Sequence, residues 1–211
     1  MSFLSSHTLA QLFELDPIFQ GIAQRYGPAP DWQRPPGFAS LLHIILEQQV
    51  SLESAQAAYN KLEEQIGHPS PEALLGLSDE TLRACYFSRQ KSRYSKALAQ
   101  AILDDQLQLD TLHLLEEAQI REQLEANTGI GQWTSDIYLI FCLGHPDIFP
   151  IGDIAAVNAV RELCGVKEKE AVWEKSLQWQ PMRRAATKML WHDYLCKRGR
   201  NQYKLQKENA Q

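Results

Sequence analysis

Apolar residues recur at three- and four-residue spacing along almost all of this 211-residue chain, and no stretch alternates with period two between turn signals. That pattern predicts an all-α fold built from many short helices. Leu9, Leu12, Phe13 and Leu15, then Ile18, Phe19 and Ile22, mark two helices around Asp16-Pro17. Residues 27–37 hold four prolines and two glycines and read as a loop between subdomains. Further helices are predicted over 38–50, 52–66, 90–103, 117–126, 132–143, 154–164, 168–177 and 181–196. With 44% apolar residues the chain can bury a real core.

Two places carry more than helix. The first is Asn127-Thr128-Gly129-Ile130-Gly131, which joins the predicted helices 117–126 and 132–143. Two glycines around one apolar residue make a compact turn without obstructing side chains, so the backbone can approach a ligand closely. Ile130 is expected to anchor the turn in the core. The amides that open the next helix favour an anion such as a phosphate, although an ordinary helix connection would also use these residues. The second place is Asp153, which ends a Pro- and Gly-rich loop from Gly144 and starts the helix 154–164. Locally it reads first as an N-cap, and otherwise as a carboxylate held for chemistry on a cationic sugar.

Charge and cysteines narrow the classes. The four cysteines, at 85, 142, 164 and 196, have no metal-site or iron–sulfur spacing. The first residues do not read as a secretion signal, and no apolar run is long enough to span a membrane. The expectation is a reduced intracellular setting: cytoplasm and nucleoid in a bacterium. The net charge of −5 argues at first against nucleic acid. Yet residues 81–103 contain Arg83, Arg89, Lys91, Arg93 and Lys96 and no acidic residue, and residues 181–207 contain eight basic residues against Asp193 alone.

Taken together, five blocks resemble the helix–hairpin–helix (HhH-GPD) DNA glycosylase superfamily, in its 3-methyladenine DNA glycosylase II-like alkylation-repair branch. They are IILEQQVS (44–51), LRACYFSRQKSRYSKALA (82–99), LEANTGIGQWTSDIYLIFCLG (124–144), HPDIFPIGDIAAV (145–157) and WQPMRRAATKMLWHDY (179–194). The resemblance implies two helical subdomains with an active-site cleft between them. The middle bundle would be residues 36–130 and the C-terminal subdomain 131–196. The helices of 1–35 would pack with the latter, and 197–211 would be a polar basic tail.

The resemblance also assigns roles. Asp153 would be the catalytic carboxylate. Trp133 and Trp191 would wall a pocket for a cationic base, with Tyr138 nearby but offset by one residue from the family's aromatic. Trp133 stands where bifunctional members carry a catalytic lysine, which implies a monofunctional enzyme. DNA contacts would come from Gln48, Gln49, Lys91, Thr128, Gly129, Ile130, Gly131 and Thr134, with Gln49 in the wedging loop. Backbone carbonyls of Glu125, Asn127 and Ile130 would hold a structural Na+ or K+, and no other cofactor would be required. Double-stranded DNA with damaged bases is the implied partner, bound by a monomer, with no membrane. Two departures from the family pattern bear on substrate range: Glu47 where a glycine is usual, and Tyr86-Phe87-Ser88 before the basic helix. The lack of a C-terminal cysteine cluster separates the chain from the endonuclease III branch. The competing readings are a glycosylase for another lesion, a non-catalytic helix–hairpin–helix DNA-binding protein and a helical interaction protein that binds no nucleic acid.

Overall fold

The computed structural model describes residues 5–200. Among these, every regular element is helical. The α-helices are α1 (Ser6–Leu15), α2 (Pro17–Tyr26), α3 (Phe38–Glu47), α4 (Leu52–Ile66), α5 (Pro71–Leu75), α6 (Asp79–Ala84), α7 (Arg89–Leu103), α8 (Glu117–Glu125), α9 (Gln132–Tyr138), α10 (Ile154–Cys164), α11 (Lys169–Leu177) and α12 (Arg183–Lys197). A 3-10 turn, Leu109–Leu114, precedes α8, and a π turn, Leu139–Leu143, continues α9. Serines set several starts: Ser5, Ser51, Ser70, Ser78 and Ser88 each accept the N–H of the residue three positions on. Each such cap is worth about 1 kcal/mol. No described helix is long and apolar enough to cross a membrane. The basic tail expected from residue 197 lies outside the described residues beyond Arg200.

The chain forms two compact units, Arg34–Leu143 and the described residues of Met1–Gln33 with those from Gly144 onward. The first unit keeps residues 131–143, which the sequence reading placed in the C-terminal subdomain. The physical reason is a set of ties to its opening residues. Arg34 N–H donates to the Phe141 carbonyl at 3.0 Å, and Gly37 N–H donates to the Tyr138 hydroxyl at 2.9 Å. The apolar α3 fills its centre, with Leu41, Leu42, Ile44, Ile45 and Leu46 fully buried. This helix stops at Glu47, three residues short of expectation. Gln49 takes φ 58, which no helix continues through, and the Lys91 ammonium donates to the Leu46 carbonyl at the frayed end. The second unit is organised by α12. Trp179 is fully buried, and its indole N–H donates to Asp16 at 3.0 Å. Asp16 also caps α2 and meets Lys175 at 2.7 Å. Burial pushes this carboxyl upward, but the hydrogen bonds from Lys175, Trp179 and the Ile18 N–H outweigh it and hold the carboxyl below its usual range.

Candidate functional site

In the Arg34–Leu143 unit, the sequence-predicted hairpin is present and tightly braced. Gly129 has φ +92, a region that L side chains avoid. It also lies against Tyr94 of α7, so closely that a Cβ there would fall 2.2 Å from the Tyr94 Cγ. Ile130 is buried, as the turn pattern requires, while Thr128 and Gly131 are exposed. Gly131 is the N-cap of α9 and offers no side-chain acceptor to the amides that follow. α8 and α9 are clamped at two levels: the Ser135 hydroxyl donates to the Glu125 carboxylate at 2.5 Å, and Arg121 meets Asp136 at 2.7 Å.

Three residues assigned to DNA turn inward instead. Gln48 donates from Nε2 to the Gly129 carbonyl at 2.8 Å and to the Thr134 hydroxyl at 2.9 Å. Gln48 and the buried Thr134 therefore hold the hairpin rather than face a ligand. Lys91 is committed to the Leu46 carbonyl, and burial lowers its pKa. Gln49, by contrast, is exposed at the tip of the turn between α3 and α4. The unusual Glu47 is explained by Arg34, whose guanidinium it meets at 2.5 Å. His43 beside them is pushed down to about 4, chiefly by burial, and is neutral at pH 7. Tyr138 is also a correction. It is fully buried, with its hydroxyl accepting the Gly37 N–H and its pKa raised by burial, so it is a core residue and walls no pocket.

Asp136 gives a pH test of this clamp. Burial pushes its carboxyl up to about 6 despite the pull of Arg121. A folded-state value above the unfolded 3.8 means that ionisation costs the folded state. The contribution is full below about pH 4 and is lost as pH rises through 6. The stability of wild type relative to Asp136→Asn is expected to fall by on the order of 2 kcal/mol between pH 4 and pH 7. Urea titrations at several pH values check this, and a pH-independent difference would refute it.

In the other unit, Asp153 is half-buried at the N-cap of α10. Its Oδ1 accepts the Ala156 N–H at 2.8 Å and the Trp191 indole N–H at 2.9 Å. Trp191 is buried on α12, so this side chain holds the carboxylate as well as presenting an aromatic ring. The loop leading to Asp153 is fastened to α12. Asp147 accepts from Arg183 Nε at 2.7 Å and from Nη2 at 2.9 Å. Arg184 Nη1 donates to the Gly144 carbonyl at 2.8 Å, and its N–H donates to the Pro146 carbonyl at 2.9 Å. Trp133 lies half-buried in the first turn of α9, in the Arg34–Leu143 unit.

For a cation, the hairpin backbone offers carbonyl oxygens. The Asn127 carbonyl accepts the Ile130 N–H at 3.1 Å, and the Asn127 amide is turned back to the Gln123 carbonyl at 2.7 Å. The Glu125 carboxylate is engaged by Ser135. Such neutral oxygens suit Na+ or K+ rather than a transition metal. Among the described residues no group of three His, Cys, Asp or Glu side chains is arranged to hold a metal. Sequence reasoning missed Tyr94 and Ser135 as hairpin supports. Tyr94 lies within the predicted helix 90–103, and nothing local in the sequence ties it to the hairpin.

Comparisons with known proteins agree on one family. Residues 42–182 match the model of the HhH-GPD superfamily base excision DNA repair protein. The chain is 27% identical over 191 residues to the alkylbase DNA glycosidase-like protein mag2 of Schizosaccharomyces pombe, covering 85% of this chain and 89% of that protein. A Bacillus subtilis protein, YfjP, is 28% identical over 162 residues, and the match spans only 56% of its length. The structure of the S. pombe 3-methyladenine DNA glycosylase Mag1 in complex with abasic DNA superposes with a TM-score of 0.79 at 26% identity, covering 88% of this chain and 95% of that one.

Proposed function

The chain is a member of the HhH-GPD superfamily of base excision DNA repair proteins, and from that premise we propose that it is a monofunctional DNA-3-methyladenine glycosylase. It removes alkylated purines such as 3-methyladenine and 7-methylguanine from double-stranded DNA and leaves an abasic site. The observation that carries this reading is Asp153. Its carboxylate is fixed by Ala156 and Trp191 at the end of a loop that Arg183 and Arg184 fasten down.

The chemistry follows from the substrate. An alkylated purine of this kind already carries positive charge, so it departs readily when the N-glycosidic bond breaks. The bond's electron pair stays with the base, which leaves neutral. The sugar becomes cationic, and the Asp153 carboxylate stabilises that charge. Water then bonds to C1′ and gives up a proton. No histidine acid is needed. Extrusion of the lesion from the stack is easier than for a normal base, which adds selectivity.

The hairpin backbone takes a phosphate, with Thr128, Gly129 and Gly131 as the approach surface and Ile130 as the internal anchor. Gln49 fills the place of the extruded base. Trp133 supports the monofunctional assignment: an indole cannot form the Schiff base that a lysine would. The carbonyls of Glu125, Asn127 and Ile130 would hold a monovalent cation, which would supply positive charge at the hairpin. The protein acts as a monomer on its DNA.

A panel of duplexes, each with one lesion, tests the proposal. Methylated purines are expected to be released, with strands cut only after heat or alkali. Borohydride added during turnover is expected to trap no protein–DNA adduct. Release of oxidised or deaminated bases alone would replace the substrate assignment, and a trapped adduct would end the monofunctional one.

A further inference from the structure

We propose that a basic groove on α6 and α7 is a second DNA-backbone site that grips duplex flanking the lesion. The proposal rests on the glycosylase reading for its partner and on separate residues for its binding. The groove, about 450 Å³, is lined by Arg83 and Asp79 of α6, by Phe87, and by Arg89, Arg93 and Lys96 of α7. The three α7 cations stand at i, i+4 and i+7 and so share one helix face. Ser92 lies between them and is nearly buried, which leaves the charged groups as the surface. Among the described residues Arg83 and Arg89 form no ion pair, and the one acidic side chain in the groove, Asp79, meets Lys96 at 2.6 Å.

Three observations favour a phosphate backbone over other anions. The first is spacing. From Arg89 to Lys96 the helix rises about 10 Å, close to three base-pair steps at about 3.4 Å each. The second is continuity with the hairpin. The Arg93 guanidinium lies 5.2 Å from the centre of the Tyr94 ring, and that same side chain packs against Gly129. The middle of the cation row therefore lies beside the residue that supports the proposed phosphate-binding turn. The third is polarity. Phe87, the groove's aromatic, is only 4% exposed, so an acidic peptide would find little apolar surface to bind. Lys91 is excluded from the row because it faces the Leu46 carbonyl. A chain with net charge −5 needs such a local track to hold duplex DNA away from the lesion.

The experiment is the salt dependence of binding to an undamaged duplex of about 30 base pairs. The Arg89→Gln/Arg93→Gln/Lys96→Gln chain is expected to show a slope of log K against log salt shallower by roughly two to three. Asp79→Asn, which frees Lys96, should steepen the slope by about one. Equal slopes for wild type and the triple variant would overturn the proposal. Base release by the wild-type chain is scored separately. Its absence would refute the glycosylase reading, while the slopes would still decide the groove.

Discussion

Asp153→Asn is expected to lower base release by about 10³-fold or more, with little change in folding or DNA affinity. The geometry makes this substitution unusually clean. Both hydrogen bonds that position the side chain, from the Ala156 N–H and the Trp191 indole, converge on Oδ1. An asparagine can offer its amide oxygen to the same two donors, and it caps helices about as well as aspartate. What disappears is the negative charge that the proposed mechanism sets against the sugar cation. Asp153→Ala is a poorer probe. It removes the cap, at about 1 kcal/mol, and leaves the buried indole N–H without that acceptor, at a further ~1–3 kcal/mol. Single-turnover release from a methylated duplex, with melting temperature and DNA affinity measured alongside, checks the prediction. Retained release in Asp153→Asn would remove this residue from the chemistry.

Helical spacing made the all-α class legible, because a buried helix face leaves a period that no loop or strand imitates. The hairpin was legible for a related reason: two glycines flanking one apolar residue admit few other backbones, and Ile130 is buried as that pattern requires. Asp153 was legible as a helix start from local chemistry, but only the five matching blocks raised it to a candidate catalytic residue. Partners of polar side chains were not legible. Gln48 and Lys91 look alike in sequence whether they face DNA or satisfy a carbonyl, and the structure turns both inward. Tyr138 failed for a similar reason. Its hydroxyl is met by the Gly37 N–H, about a hundred residues away in sequence, and its ring lies in the core, which no local pattern shows. The unit boundary after Leu143 was hidden as well, because it depends on bonds from residues 34 and 37 to residues 138 and 141.

The two hairpin glycines should separate stability from binding. Gly129→Ala is expected to cost about 3 kcal/mol or more and to abolish binding to damaged and undamaged duplex alike. Two costs combine. A side chain at φ +92 is strained wherever it points, and its Cβ would meet the Tyr94 Cβ at 2.7 Å as well as the Cγ at 2.2 Å. Rotation about χ1 can swing the Cγ away but leaves the Cβ contact at 2.7 Å, so α7 or the hairpin must move. A displaced hairpin also loses the bond from Gln48 to the Gly129 carbonyl. Gly129→Ala/Tyr94→Ala removes the ring contacts but keeps the 2.7 Å contact with the Cβ at 94 and the strain, so it should recover only part of the stability lost by the single change. Gly131 is different. Its φ of −114 suits any residue, and no atom lies within 4 Å of a Cβ added there. No packing within the protein calls for glycine at 131. If a phosphate approaches this backbone, Gly131→Ala should leave the melting temperature unchanged and weaken DNA binding about tenfold. Unchanged DNA binding in Gly131→Ala would refute that approach, whatever Gly129→Ala does to the fold.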